Sequence, residues 1–147
     1  MPHPGGIAVL KDTGGAVVAK GWYSPNARLA VRVLTRDPAE DLDLGYFVRR
    51  FEAARALRER TLPGIEGVRL VHAEADELPG IMVDSYAGHL VVQLRYAGAD
   101  ALRSTIVTAL EKVWAPRGVF ERSDMEGRRE EAGAVRTRLT ASGIRRS

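Results

Sequence analysis

The chain has 147 residues and a formal net charge of +3, with 45% hydrophobic and 28% charged residues. That is an ordinary globular mix, enough for one domain or two small ones. Cysteine is absent, which excludes disulfides, thiolate metal sites and a cysteine nucleophile within these residues.

No apolar run approaches the roughly 18–20 residues that a membrane-spanning helix needs. The opening residues 1–6 have neither the basic nor the apolar region of a signal peptide. The expectation is a cytoplasmic protein with no membrane partner. The pI of about 9.6 invites a nucleic-acid reading, but the excess charge is unevenly placed. From Arg128 onward there are six arginines and two glutamates, a net of +4, so residues 1–127 sum to −1. A basic tail can hold phosphate without specificity. A solvated end accounts for the same residues.

Residues 7–10 and 16–19 are short apolar runs around Asp12-Thr13-Gly14-Gly15, a hairpin pattern. Gly21-Trp22-Tyr23-Ser24-Pro25-Asn26 is expected to break the second strand. Residues 29–34 make a third, with Leu29, Val31 and Val33 on one face. Three such strands bury too little apolar surface to stand alone. Residues 35–42 read as a linker. A helix then runs from about residue 43 to 60, with Leu44, Phe47, Val48, Phe51, Ala54 and Leu57 in one stripe and Asp41 or Asp43 as its cap.

A second β unit follows, with strands at 68–72, 80–84 and 89–95 and a turn through Tyr86-Ala87-Gly88-His89. A helix at 100–114 and a strand at 119–122 complete it. The fold class is α+β, with barrel-like strands in residues 1–36, a small α/β unit in 37–130 and an irregular tail in 131–147.

Several residues are candidates for chemistry. Trp22 and Tyr23, beside Arg28 and Arg32, could stack on RNA bases. Alternatively, one of the two aromatics fills the core. Glu74, Asp76, Glu77 and Asp84 with His72 could ligate a metal or act as an acid/base pair. Their spacing matches neither an EF-hand nor a His-Glu-x-x-His helix, and a charged turn explains them as well. Glu121, Arg122, Ser123, Asp124 and Arg128 could form an ion-pair network, with Arg122 a further RNA candidate. No glycine motif opens a helix after a strand, so no dinucleotide, SAM or phosphate cradle is legible.

Together, these stretches resemble a known family. Gly21-Trp22-Tyr23-Ser24-Pro25-Asn26 followed by Ala30-Val31-Arg32-Val33-Leu34 is similar to the end of the PUA domain of the large-subunit rRNA cytosine-C5 methyltransferases. Tyr46-Phe47-Val48-Arg49-Arg50 resembles that family's next helix. The most specific likeness is Arg69-Leu70-Val71-His72-Ala73-Glu74-Ala75-Asp76-Glu77-Leu78-Pro79-Gly80-Ile81-Met82-Val83-Asp84, which is similar to the signature of the family's central α/β domain. Glu121-Arg122-Ser123-Asp124 and Arg128 resemble the segment leading into its catalytic domain.

The resemblance implies a PUA remnant and a central domain without the Rossmann methyltransferase domain, its SAM site or its catalytic cysteine. It therefore implies no catalytic residue, metal or cofactor in this chain, SAM being the cofactor of the full-length family. Rather, it implies an RNA-positioning role with rRNA as partner and no DNA partner. Trp22, Tyr23, Arg28, Arg32 and Arg122 are the candidate RNA contacts, while Glu74, Asp76, Pro79, Gly80 and Asp84 are motif residues with a structural task. The rival readings are a stand-alone RNA-binding module and a homodimerisation module. A metal hydrolase at the acidic turn is the most distant.

Overall fold

A computed structural model describes residues 6–122 and the backbone of residues 137–139. The first hairpin forms as its apolar runs require. Strands β1 (Ile7–Lys11), β2 (Val17–Tyr23) and β3 (Val31–Thr35) make an antiparallel sheet in the order β1-β2-β3. The Asp12 side chain holds the turn by accepting from the backbone amides of Gly14 and Ala16, each at 2.9 Å.

Strand β2 does not stop at Gly21, as the glycine suggests, but runs on to Tyr23. The register shifts between Lys20 and Gly21, and a Cβ on Gly21 would lie 2.0 Å from the Arg32 carbonyl oxygen. The glycine therefore serves a close approach of two strands, not a turn. The chain reverses only at Ser24, whose amide donates to the Ala30 carbonyl at 2.8 Å.

Helix α1 (Leu44–Thr61) follows a proline-containing connection. Asp43 is its cap, accepting from the Tyr46 amide at 3.0 Å. The helix ends at Leu62, ahead of Pro63-Gly64. Phe47, Phe51 and Ala54 are buried from the predicted apolar face, and Tyr46, outside that stripe, is buried with them. Exposed Leu57 does not join them.

The second sheet has the order β4-β5-β6-β7-β8, with β4 (Arg69–His72), β5 (Ile81–Tyr86), β6 (His89–Leu94), β7 (Gly118–Arg122) and β8 (Thr137–Leu139). Every pairing is antiparallel except β6 with β7. That pair is joined by α2 (Ala97–Ala101) and α3 (Arg103–Trp114). The expected helix at 100–114 is thus two, with a joint at Leu102, and it begins earlier than its apolar stripe. The early turn at Ala97-Gly98-Ala99 has little periodicity of its own and is set by packing against β2. Strand β8 falls in the stretch expected to be irregular. It pairs along β7, whose backbone groups would otherwise form an open edge. The rest of the tail lies outside the described residues.

One continuous core joins both sheets. Trp22 and Leu34 from the first sheet share it with Val71, Ile81, Val83, Val92, Leu94 and Val119 from the second, and with α1 and α3. Aromatic rings run through it, with Trp22 on Phe47 at 6.4 Å, Phe47 to Phe51 at 6.3 Å and Phe51 to Trp114 at 5.8 Å.

Glu121 is 1% exposed and faces α3. The Arg103 guanidinium neutralises it, with Nε 2.7 Å from Oε2. That contact is too poorly aligned to count as a hydrogen bond. The aligned bond comes from Arg103 Nη2 to Oε1 at 3.1 Å. Glu121 thus pairs from its strand to a helix, while Ser123, Asp124 and Arg128 of the expected network lie outside the described residues.

Tyr46 connects the two layers, its hydroxyl donating to the Leu34 carbonyl at 2.9 Å. Burial pushes the Tyr46 phenol above its usual 10.0, against the opposing pull of the nearby Arg50 charge. In an unfolded chain the phenol loses its proton first, so its contribution is complete below pH 10 and falls as pH rises through the folded value. Tyr46→Phe should remove that alkaline component from the difference between mutant and wild-type stability curves. At neutral pH it should cost about 1–3 kcal/mol, because the carbonyl loses its donor. Chemical denaturation from pH 7 to 11 measures both.

Candidate functional site

The aromatic and basic residues at 22–32 do not converge on one surface. Trp22 has no exposed area. Its indole Nε1 donates to the Pro79 carbonyl at 2.7 Å, and its ring stacks on Phe47 at an interplanar angle of 11°. A Cβ on Gly98 would lie 2.7 Å from Trp22 Cε3, so α2 closes the remaining side. Trp22 as a base-stacking residue is therefore corrected: no face of its ring is open in this fold.

Tyr23 is half-buried and pairs with Val31, on the face of β2 opposite Trp22. Arg28 is exposed in the turn between β2 and β3. Arg32 pairs across from Trp22, and its guanidinium carbon sits 3.8 Å from the Tyr96 ring centroid. This cation–π contact ties the first sheet to the start of α2. Arg32 also donates from Nη1 to the Leu29 carbonyl at 3.2 Å. Arg122 is exposed at the end of β7, in the other sheet. Of this group, Arg28 is the one exposed at the first sheet.

The motif at 69–84 is built as a junction. Asp76 accepts from Arg58 at 2.5 and 2.8 Å through its two oxygens, and from the His72 amide at 2.6 Å. It thereby fastens the short 3-10 turn Ala73–Asp76 to α1. Glu77 pairs with Arg50 of α1. Asp84 is held by Arg69 at 2.8 and 3.1 Å, and this bond raises the Arg69 pKa. Glu74 is exposed.

Pro79 supplies the carbonyl for Trp22. Gly80 has φ +81°, and a Cβ there would lie 2.2 Å from Tyr96 Cδ2. The position therefore requires glycine for both conformation and space. The carboxylates are drawn to separate arginines instead of to one another. No three metal-ligating side chains group together among the described residues.

A cleft of about 380 Å³ opens between β3 and this turn, lined by Val33, Arg36, Arg50, Glu74 and Glu77 among others. Its charges are mixed, and the Arg50–Glu77 pair occupies its wall. The place where a βαβ unit would cradle a cofactor, after the parallel strand β6, is instead filled. Tyr96 packs on Gly80 there and Trp22 packs on Gly98. The described residues do not fit a SAM cradle.

Residues 1–36 match a family model described as a PUA-like domain. The chain is homologous to large-subunit ribosomal RNA methyltransferases. It is 39% identical over 138 residues to ribosomal RNA large subunit methyltransferase I of Photobacterium profundum, which is 92% of this chain and 35% of that relative. The proteins of the same description from Tolumonas auensis and Pseudoalteromonas atlantica are 38% and 40% identical and are covered to 35% and 33%. The chain therefore spans about a third of the length of the curated relatives it matches.

Among solved structures, a SAM-dependent methyltransferase from Streptococcus mutans shares the fold over 99% of this chain and 37% of its own, with a TM-score of 0.78 and 14% identity. A methyltransferase solved with SAH gives a TM-score of 0.73 and 16% identity over 84% of this chain and 33% of its own.

Sequence reasoning did not give the pairings of Arg58, Arg69, Tyr96 and Arg103. Their partners lie 15 or more positions away in most cases, so spacing along the chain carries no signal for them. Trp22→Phe should destabilise the fold by about 2–4 kcal/mol, since it opens space and orphans the Pro79 carbonyl. Urea unfolding followed by circular dichroism measures this, and a loss below 0.5 kcal/mol would contradict the anchoring role (surface changes stay within about that range).

Proposed function

We propose that this chain is the RNA-positioning front portion of a SAM-dependent methyltransferase that acts on cytosine C5 of large-subunit rRNA. In this reading methyl transfer is carried by residues outside this chain. The observation that carries it is the 36–40% identity to large-subunit rRNA methyltransferases, which coincides with the PUA-like match at residues 1–36.

The residues present support a binding role. There is no cysteine to attack the base. The second sheet contains a single parallel pair among its described strands, unlike the mostly parallel sheet of a nucleotide-binding domain. In this reading Arg28 and Tyr23 present a charge and a ring at the edge of the first sheet. Arg32 positions that edge through Tyr96. The motif from Arg69 to Asp84 holds the PUA-like strands against the central unit. SAM serves the complete enzyme, rRNA is the partner, and the site of action is the cytoplasm.

Two measurements test the reading. The purified chain, incubated with labelled SAM and protein-free large-subunit rRNA, should incorporate no methyl group. Incorporation into cytosine would overturn the division of labour. In an anisotropy titration the chain should bind structured rRNA fragments more tightly than random RNA at the same salt. Arg28→Gln should weaken that binding and lower the salt slope by roughly one unit or less. Equal affinity for both RNAs would count against the proposal.

A further inference from the structure

Residues 78–81 form a tight turn at the entry to β5. The Ile81 amide donates to the Leu78 carbonyl at 3.0 Å, so Pro79 and Gly80 are its two central residues. Proline holds its own φ at about −65°, and Gly80 has φ +81°. That combination is a type II turn. A type I turn has the same closing bond, but the peptide between its central residues is rotated by about half a turn.

The peptide that rotates carries the Pro79 carbonyl, which is the acceptor for Trp22 Nε1 at 2.7 Å. The turn type therefore decides whether that acceptor faces the first sheet. The second sheet does not depend on it. The Leu78–Ile81 bond closes both turn types, and the Gly80 carbonyl, outside the rotating peptide, accepts from the Arg95 amide at 2.8 Å. Leu78 is anchored separately, its amide donating to the Ala73 carbonyl at 3.0 Å. The whole consequence of a rotation falls on Trp22. Its side chain is fully buried, and an indole N–H left there without its acceptor has lost hydration with nothing in exchange.

We infer that the Pro79–Gly80 peptide is a latch for the first sheet. In the type II form it presents the carbonyl and the first sheet is docked. In the type I form the carbonyl turns away and Trp22 is released, while β5 and β6 stay paired. The sequence sets the latch closed, because proline suits the first central position of a type II turn and glycine the second. Gly80 is thus a positioning residue that acts through the Pro79 carbonyl. The latch works between the two sheets, whatever ligand the first sheet meets.

The test uses the full chain labelled with nitrogen-15 and carbon-13, and reads three NMR signals. A strong NOE between Pro79 Hα and the Gly80 amide proton marks the type II turn. Slow solvent exchange of the Trp22 indole proton marks the docked state, and that of the Arg95 amide marks the intact second sheet. The native chain should show all three. Gly80→Ala should lose the NOE and speed indole exchange by about tenfold or more, with Arg95 still protected.

A Cβ at position 80 also meets the Tyr96 ring, and Tyr96→Ala removes that clash. In this background Gly80→Asn, which tolerates a positive φ, should keep the NOE and the slow indole proton, whereas Gly80→Ala should lose both. A lost NOE with a protected indole overturns the latch, and so does a retained NOE with an exposed indole. Retention of both signals in Gly80→Ala overturns the role of the glycine. An Arg95 amide that opens together with the indole shows the second sheet giving way, and likewise overturns the inference.

Discussion

The indole of Trp22 is the contact on which the two sheets depend. It leaves β2, crosses the boundary between the sheets, and bonds to the carbonyl of Pro79 within the central motif. Its ring plane lies along that of Phe47, and Gly98 is small because the ring occupies its space. The three-stranded sheet has too little apolar surface to be stable by itself. With Trp22 and Leu34 inserted it shares the core of the second sheet. Arg32 over Tyr96, and Tyr46 bonded to the Leu34 carbonyl, repeat the same connection at two other points.

The same constraint explains the motif that resembles the rRNA methyltransferases. Its carboxylates invite a catalytic reading in one dimension. In three, Asp76 answers to Arg58, Glu77 to Arg50 and Asp84 to Arg69. Pro79 and Gly80 lie where the chain must pass under two aromatic rings, so one contributes a carbonyl and the other the absence of a side chain. The motif thus fixes the relative placement of the two sheets, and the RNA-positioning role we propose needs that placement to be rigid. Function in the proposed reading resides in what the scaffold presents at the turn that carries Arg28.

A good part of the fold was legible. Helix α1 declared itself through its stripe and an aspartate cap at Asp41 or Asp43, and β5 and β6 through the turn at Tyr86-Ala87-Gly88-His89 and the alternation of Leu90, Val92 and Leu94. The errors share a physical origin. Gly21 looked like a break because a glycine for close strand approach and a glycine for a turn are the same letter. The early start of α2 has no periodic signal, since its residues are chosen to fit beneath Trp22. Strand β8 depends on the unsatisfied edge of β7, which no local pattern reveals.

The candidate site shows the same division. The sequence by itself determined composition, periodicity, turn chemistry and the absence of a cysteine, because these are local properties of the chain. It could name Trp22, Tyr23, Arg28 and Arg32 as a group, but not decide which of them meet solvent. Only the tertiary structure decided that Trp22 is a core anchor and that Arg32 is taken up by Tyr96. Burial and ion pairing depend on partners brought from distant positions by packing, and that information is carried by the fold as a whole.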